Sequence, residues 1–180
     1  MKVGPLPCLN EADKFMLSLY PWQIIGALSL KGERLSEGQQ VANFKSTLRK
    51  VTRALGVRFQ DVVWGLKLEY GRWSDRAHFH FVLGGVPASQ LNSVTCKRLA
   101  SAWTQKGGGR ETDVEVFDAA KNGLPYIAKL PAPRPANAVH STAKFGVNGE
   151  DIHFSPNFMT VARQAHPRTR KRSSGSLLRE

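Results

Sequence analysis

Two runs of alternating residues, DVVWGLKLEYG (61–71) and AHFHFVLGG (77–85), flank the six-residue segment GRWSDR, and so short a gap predicts an antiparallel hairpin. Strand alternation in the second run sends Ala77, Phe79, Phe81 and Leu83 to one face and His78, His80 and Val82 to the other. The apolar set belongs in a core, so the two imidazoles point outward together. In the first run Val62, Trp64, Leu66, Leu68 and Tyr70 form the apolar set, which leaves Lys67 and Glu69 on the polar face. Pairing Tyr70 with Ala77 across the turn sets Glu69 opposite His78 and Lys67 opposite His80. Cross-strand neighbours lie roughly 5 Å apart and diagonals roughly 7–8 Å, so one cation could reach both imidazoles and the carboxylate. Two nitrogens and one oxygen, with positions left for water and substrate, suit Mn2+, Mg2+ or another divalent ion in Lewis-acid work. A register slip of one residue would send Glu69 to the other side, and Asp75 in the turn competes for the carboxylate role.

The rest of the chain supplies elements for this hairpin to pack against. WQIIGALSL (22–30) is a mostly apolar run bounded by Pro21 and by Lys31-Gly32, which predicts a buried strand. Between 39 and 55, Val41, Phe44, Leu48, Val51 and Leu55 recur at three- or four-residue intervals, an amphipathic helix stopped by Gly56. Lys45, Arg49, Lys50 and Arg53 fall elsewhere on its wheel and are read as a solvated face before a DNA track. A second helix is expected from Ser89 to Gln105 with Leu91, Val94, Leu99 and Trp103 toward the core, ended by the glycines at 107–109. DVEVFD (113–118) predicts a short strand, GEDIHFSPNFM (149–159) one weak strand or hairpin, and PYIAKL (125–130) a short helix with Pro125 at its first position. The order β-α-β-β-α-β, with helices packed on one face, predicts an α+β fold with an antiparallel sheet of the ferredoxin-like type. Such a sheet keeps its other face free for a ligand. Three parts are expected: an N-terminal arm (1–19), one domain (20–160) and a basic, disordered tail (161–180).

Charge narrows the partner. The 26 Lys and Arg against 14 Asp and Glu give a formal net charge of +12, which favours a polyanion, with nucleic acid ahead of an anionic membrane surface. The chain lacks both a long apolar run and a G-x-x-x-x-G-K-[ST] phosphate loop, so neither a membrane span nor a nucleotide cofactor is expected. Pro, Asn, Glu and Asp near the N-terminus argue against a secretory signal and for a cytoplasmic protein, with Cys8 and Cys96 as ordinary thiols. Arg72, Trp73 and Arg76 beside the hairpin turn could stack a base and hold phosphates. Arg168, Arg170, Lys171 and Arg172 would add a salt-sensitive contact to DNA.

Tyr126 and Lys129 stand three apart in the short helical segment and so share a face. A free phenol, with a pKa near ~10, is a weak nucleophile at neutral pH and needs a polarised electrophile. A metal-bound phosphodiester would be one, and an ammonium group can offset negative charge developing on the phosphate or phenolate oxygen. On WQIIGALSL, HFH (78–80) with Glu69 upstream, and YIAK (126–129), in that order, the sequence resembles the HUH (His-hydrophobe-His) endonucleases, specifically single-tyrosine rolling-circle replication initiators. The resemblance spans roughly residues 20–130; Pro125 directly before the tyrosine departs from the pattern.

What the resemblance implies is an RRM-like palm that nicks and religates single-stranded DNA at the replication origin of a plasmid or virus. Tyr126 would attack a phosphodiester to give a 5′-phosphotyrosine and a free 3′-hydroxyl that primes a polymerase, with a host helicase as a further partner. His78, His80 and Glu69 would hold Mn2+ or Mg2+, and Lys129 would assist. Three other readings remain open: a non-catalytic single-strand-binding module, a relaxase or transposase with the same chemistry, and a hydrolase in which Tyr126 is incidental.

Overall fold

The computed structural model describes residues 9–31, 36–70, 77–121, 123–129 and 152–165. Its elements are α1 (Glu11–Ser18), β1 (Ile24–Ser29), α2 (Glu37–Ala54), β2 (Val63–Tyr70), β3 (Ala77–Gly84), α3 (Ser93–Gln105), β4 (Thr112–Val116), α4 (Gly123–Ala128), β5 (His153–Phe154) and α5 (Phe158–Ala165). The five strands form one sheet in the order β4-β1-β3-β2-β5, every pair antiparallel. Over β1-α2-β2-β3-α3-β4 this is the ferredoxin-like arrangement expected from the sequence, with β5 added at the free edge of β2.

The main core lies between the sheet and helices α2 and α3. Val41, Phe44, Leu48, Val51 and Leu55 of the α2 stripe are all buried, and Phe44 meets Trp64, Phe79 and Phe81 at ring distances of 5.6, 6.4 and 5.7 Å. A capping box on Ser36 and Gln39 opens α2, and Gly56, at φ 69°, turns the chain away from its end. The basic residues of α2 are largely engaged within the protein: Lys45 lies over Trp64, Arg49 over Phe59, and Lys50 donates to Gln105. In α3 the expected core side is corrected at Val94, which is 61% exposed. Asn92 caps the helix just before it, and the stripe through Leu99 and Trp103 runs back to Thr95 and Cys96. Val94, five residues before Leu99, falls off that stripe.

The second face of the sheet is not fully open. Val63 and Val82 pack there with Leu17 of α1, Ile127 and Ala128 of α4, Ile152, and Phe158 and Ala162 of α5. Helix α1 lies within residues 1–19, the segment expected as an N-terminal arm. Its signal was present, because Asn10 accepts from the N–H groups of Ala12 and Asp13 and two acids occupy the first turn. Helix α5 likewise crosses the expected boundary at 160. Helix α4 begins two residues before Pro125, so proline is its third residue and not its first. The first four N–H groups of a helix lack internal acceptors, so a residue without one is tolerated there.

Candidate metal centre and nucleophile

Hairpin register decides which side chains meet. Tyr70 pairs with Ala77, Glu69 with His78 and Lys67 with His80, the pairing expected from the sequence. Odd-numbered residues of β2 and even-numbered residues of β3 therefore share the second face. At one end that face is apolar, through Val63 and Val82; at the other it carries Glu69, His78 and His80.

These three residues converge. The Nε2 atoms of His78 and His80 are 3.0 Å apart, and Oε2 of Glu69 lies 2.9 Å from Nε2 of His80 and 3.9 Å from that of His78. Two ligand nitrogens, each about 2.1 Å from one ion and at right angles, would be separated by about 3 Å, so the observed spacing fits a shared cation. Oε2 of Glu69 is buried and, despite its nearness to His80, makes no well-formed hydrogen bond among the described residues. An orphaned buried carboxylate oxygen aimed between two imidazole nitrogens is the feature a bound cation would satisfy. Glu69, His78 and His80 could thus hold a divalent ion. Asp75, the competing carboxylate of the sequence reading, lies outside the described residues.

Protonation states favour the same conclusion. Burial pushes the His80 pKa down, and the charges of His78 and Lys129 add to that against the opposing pull of Glu69, so the imidazole is neutral near pH 7. A neutral imidazole is the form that binds a metal. Burial works to raise the Glu69 pKa, but the short contacts with His80 and Lys129 and their charge outweigh it and hold the carboxyl down at about 2. A depressed carboxyl stabilises the fold only while ionised. The metal-free protein should therefore lose stability as pH falls from 4.5, the ordinary value, toward 2. Urea midpoints measured across that window should drop for the wild type, and Glu69→Gln should lack this component of the drop.

Helix α4 brings the phenol to the same spot. The Tyr126 ring stands edge-on to His80, with centroids 5.1 Å apart at 85°, and the residue is 51% exposed. Nζ of Lys129 lies 3.8 Å from the Tyr126 ring centroid and 2.8 Å from Oε1 of Glu69. Burial works against the lysine charge, yet the hydrogen bonds and charges of Glu69 and Tyr126 raise its pKa above the ordinary value. Lys129 is thus a fixed ammonium group near neutral pH and not a proton acceptor. Beside Tyr126 and His80 a cavity of about 360 Å³ opens over β1 and β4, with Ala27, Asp113 and Glu115 in its lining.

All five proposed site residues, Glu69, His78, His80, Tyr126 and Lys129, therefore form one cluster. The DNA-contacting candidates Arg72, Trp73, Arg76, Arg168, Arg170, Lys171 and Arg172 lie outside the described residues, as does Cys8; Cys96 is a buried free thiol. Lys67, expected on the polar face, is there but fully enclosed, with its ammonium group turned into the protein. Among the described residues no helix is long and apolar enough to cross a membrane. No protein-family model matches the chain, and neither a search of curated proteins nor one of solved structures finds a match.

Proposed function

We propose that this protein is a tyrosine-nucleophile endonuclease of the HUH type, which nicks single-stranded DNA at a replication origin and can rejoin it. The observation that carries the reading is the packing of Tyr126 against His80, with Lys129 joining the phenol ring to the Glu69 carboxylate. A solvated tyrosine with a structural role has no need of an ammonium group shared with a ligand carboxylate.

In the proposed reaction the Tyr126 hydroxyl oxygen bonds to phosphorus as the bond from phosphorus to the 3′ oxygen breaks. The phenol gives up its proton and the departing 3′ oxygen gains one, so no net proton is consumed. The product is a 5′-phosphotyrosine and a free 3′-hydroxyl, and attack by that hydroxyl reverses the step. His78, His80 and Glu69 would hold Mn2+ or Mg2+, which supplies Lewis-acid polarisation of a phosphate oxygen. The exposed ring of Tyr126 gives the phenol access to a strand lying across the sheet. Lys129, held by Glu69, offsets negative charge on the phosphate or the phenolate. The cavity over β1 and β4 falls within the size range of small-ligand sites and would take the nucleotide next to the scissile phosphate. A net charge of +12 suits a polyanionic substrate, and a released 3′-hydroxyl would serve a polymerase.

The test is a denaturing gel of the protein mixed with labelled single-stranded oligonucleotides of randomised sequence and Mn2+. A covalent protein-DNA band that disappears with chelator is expected. Binding without any adduct would point to a non-catalytic single-strand module, and cleavage without an adduct would point to a hydrolase.

A further inference from the structure

Two residues before Glu69, and on the same face of β2, Lys67 carries a charge into the protein interior. Its side chain is 1% exposed, and its Nζ donates to the carbonyl oxygens of Ile127 at 3.0 Å and Lys129 at 2.6 Å. It also lies 3.5 Å from Oδ2 of Asp13, a carboxylate on α1 that is itself fully enclosed. The other Asp13 oxygen accepts from the Ile152 N–H, and the carbonyl between the two that Lys67 holds, Ala128 O, accepts from the Asn10 N–H at 2.7 Å.

Three successive carbonyls, the last two of α4 and that of Lys129 just beyond it, thus receive donors from outside the helix. The last carbonyls of any helix lack internal partners, and α4 has only six residues, too few to persist alone. Its rotation has to be set from without. A slip of one residue would turn Tyr126 about 100° around the helix axis, away from His80. Stability does not account for two charges at this place, because a buried ion pair is commonly matched or bettered by apolar residues of similar volume.

We infer that Lys67 and Asp13 form a buried clamp that fixes the register of α4 and so holds Tyr126 and Lys129 over the His78–His80–Glu69 group. Lys67 is a positioning residue in this scheme, and α1 belongs to the active centre. The consequence for nicking rests on the reading that Tyr126 is the nucleophile; the clamp itself does not.

The experiment uses the full chain as wild type, Lys67→Met, and the double variant Asp13→Leu with Lys67→Met. Four quantities are read: amide hydrogen exchange, melting temperature, Mn2+ affinity by calorimetry, and the rate of covalent adduct formation. The single variant removes the ammonium group beside Oδ2 of the enclosed Asp13 and should lower the melting temperature, whereas the double variant should recover it. Exchange across 123–129 should nevertheless quicken about 10-fold in both, with Mn2+ affinity unchanged and, in the double variant, exchange of β2 and β3 unchanged as well. Adduct formation should fall roughly 100-fold, the scale expected for a displaced reacting group. Should Lys67→Met fail to fold, Asp13→Asn should give the same pattern at smaller size. Wild-type exchange across 123–129 in the double variant overturns the clamp, and so does an adduct rate that tracks melting temperature and Mn2+ affinity together. A wild-type protein that forms no adduct with any DNA removes the nuclease reading, and the exchange measurement then decides the clamp by itself.

Discussion

Tyr126→Phe is expected to reduce the covalent protein-DNA adduct below detection while leaving the fold and the metal site intact. The substitution removes one oxygen from a ring that is half exposed and belongs to neither core cluster. Surface changes of that kind typically cost within about 0.5 kcal/mol, so circular dichroism and melting temperature should be unchanged. The edge-on contact with His80 and the Lys129 ammonium over the ring both survive in phenylalanine, which keeps the surroundings of the ligand group as they were. The nucleophile is lost, and with it the hydroxyl's hydrogen bond with Lys129. Strand cleavage persisting in Tyr126→Phe without an adduct would show that water attacks the phosphate and would sink the proposal.

How far the sequence discloses this site depends on which physical rule places each residue. Period-two alternation acts over two or three residues, so it assigns His78, His80 and Glu69 to one face and carries the pairing of Glu69 with His78 along with it. The β-α-β-β-α-β order follows from equally local patterns, and the strand order β4-β1-β3-β2 with it. Lys67 is a different case. Alternation gives its face but not its depth, because depth depends on α1 and α4 arriving from residues 11–18 and 123–128 to close over it. Asp13, 54 residues from its partner, is indistinguishable in sequence from the surface acids usual in a first helical turn. Val94 fails for a local reason: the first turn of α3 is set by its cap at Asn92, and the apolar stripe begins only at the next turn-facing positions, Thr95 and Cys96. The ion pair of Lys129 with Glu69 is likewise hidden, since it joins a strand to a residue 60 positions later, just beyond the end of α4.

That pair makes the metal centre's response to mutation asymmetric. His80→Ala should weaken Mn2+ binding at least about 100-fold, because it deletes the most enclosed ligand and leaves Glu69 facing a gap. Metal bound at about 100 times its Kd stabilises a protein by about 2.7 kcal/mol, so Mn2+ should raise the wild-type melting temperature by several degrees and leave that of His80→Ala unmoved. Lys129→Met should act in the opposite direction. Its ammonium sits 2.8 Å from one oxygen of the carboxylate whose other oxygen faces the imidazoles, so it both repels an incoming dication and draws carboxylate charge toward itself. Removing it should tighten Mn2+ binding while slowing adduct formation, which calorimetry and a single-turnover gel assay can read separately. A lysine present only to neutralise Glu69 would give tighter metal binding with an undiminished adduct rate. The two readouts must diverge if Lys129 serves the reacting phosphate or phenolate.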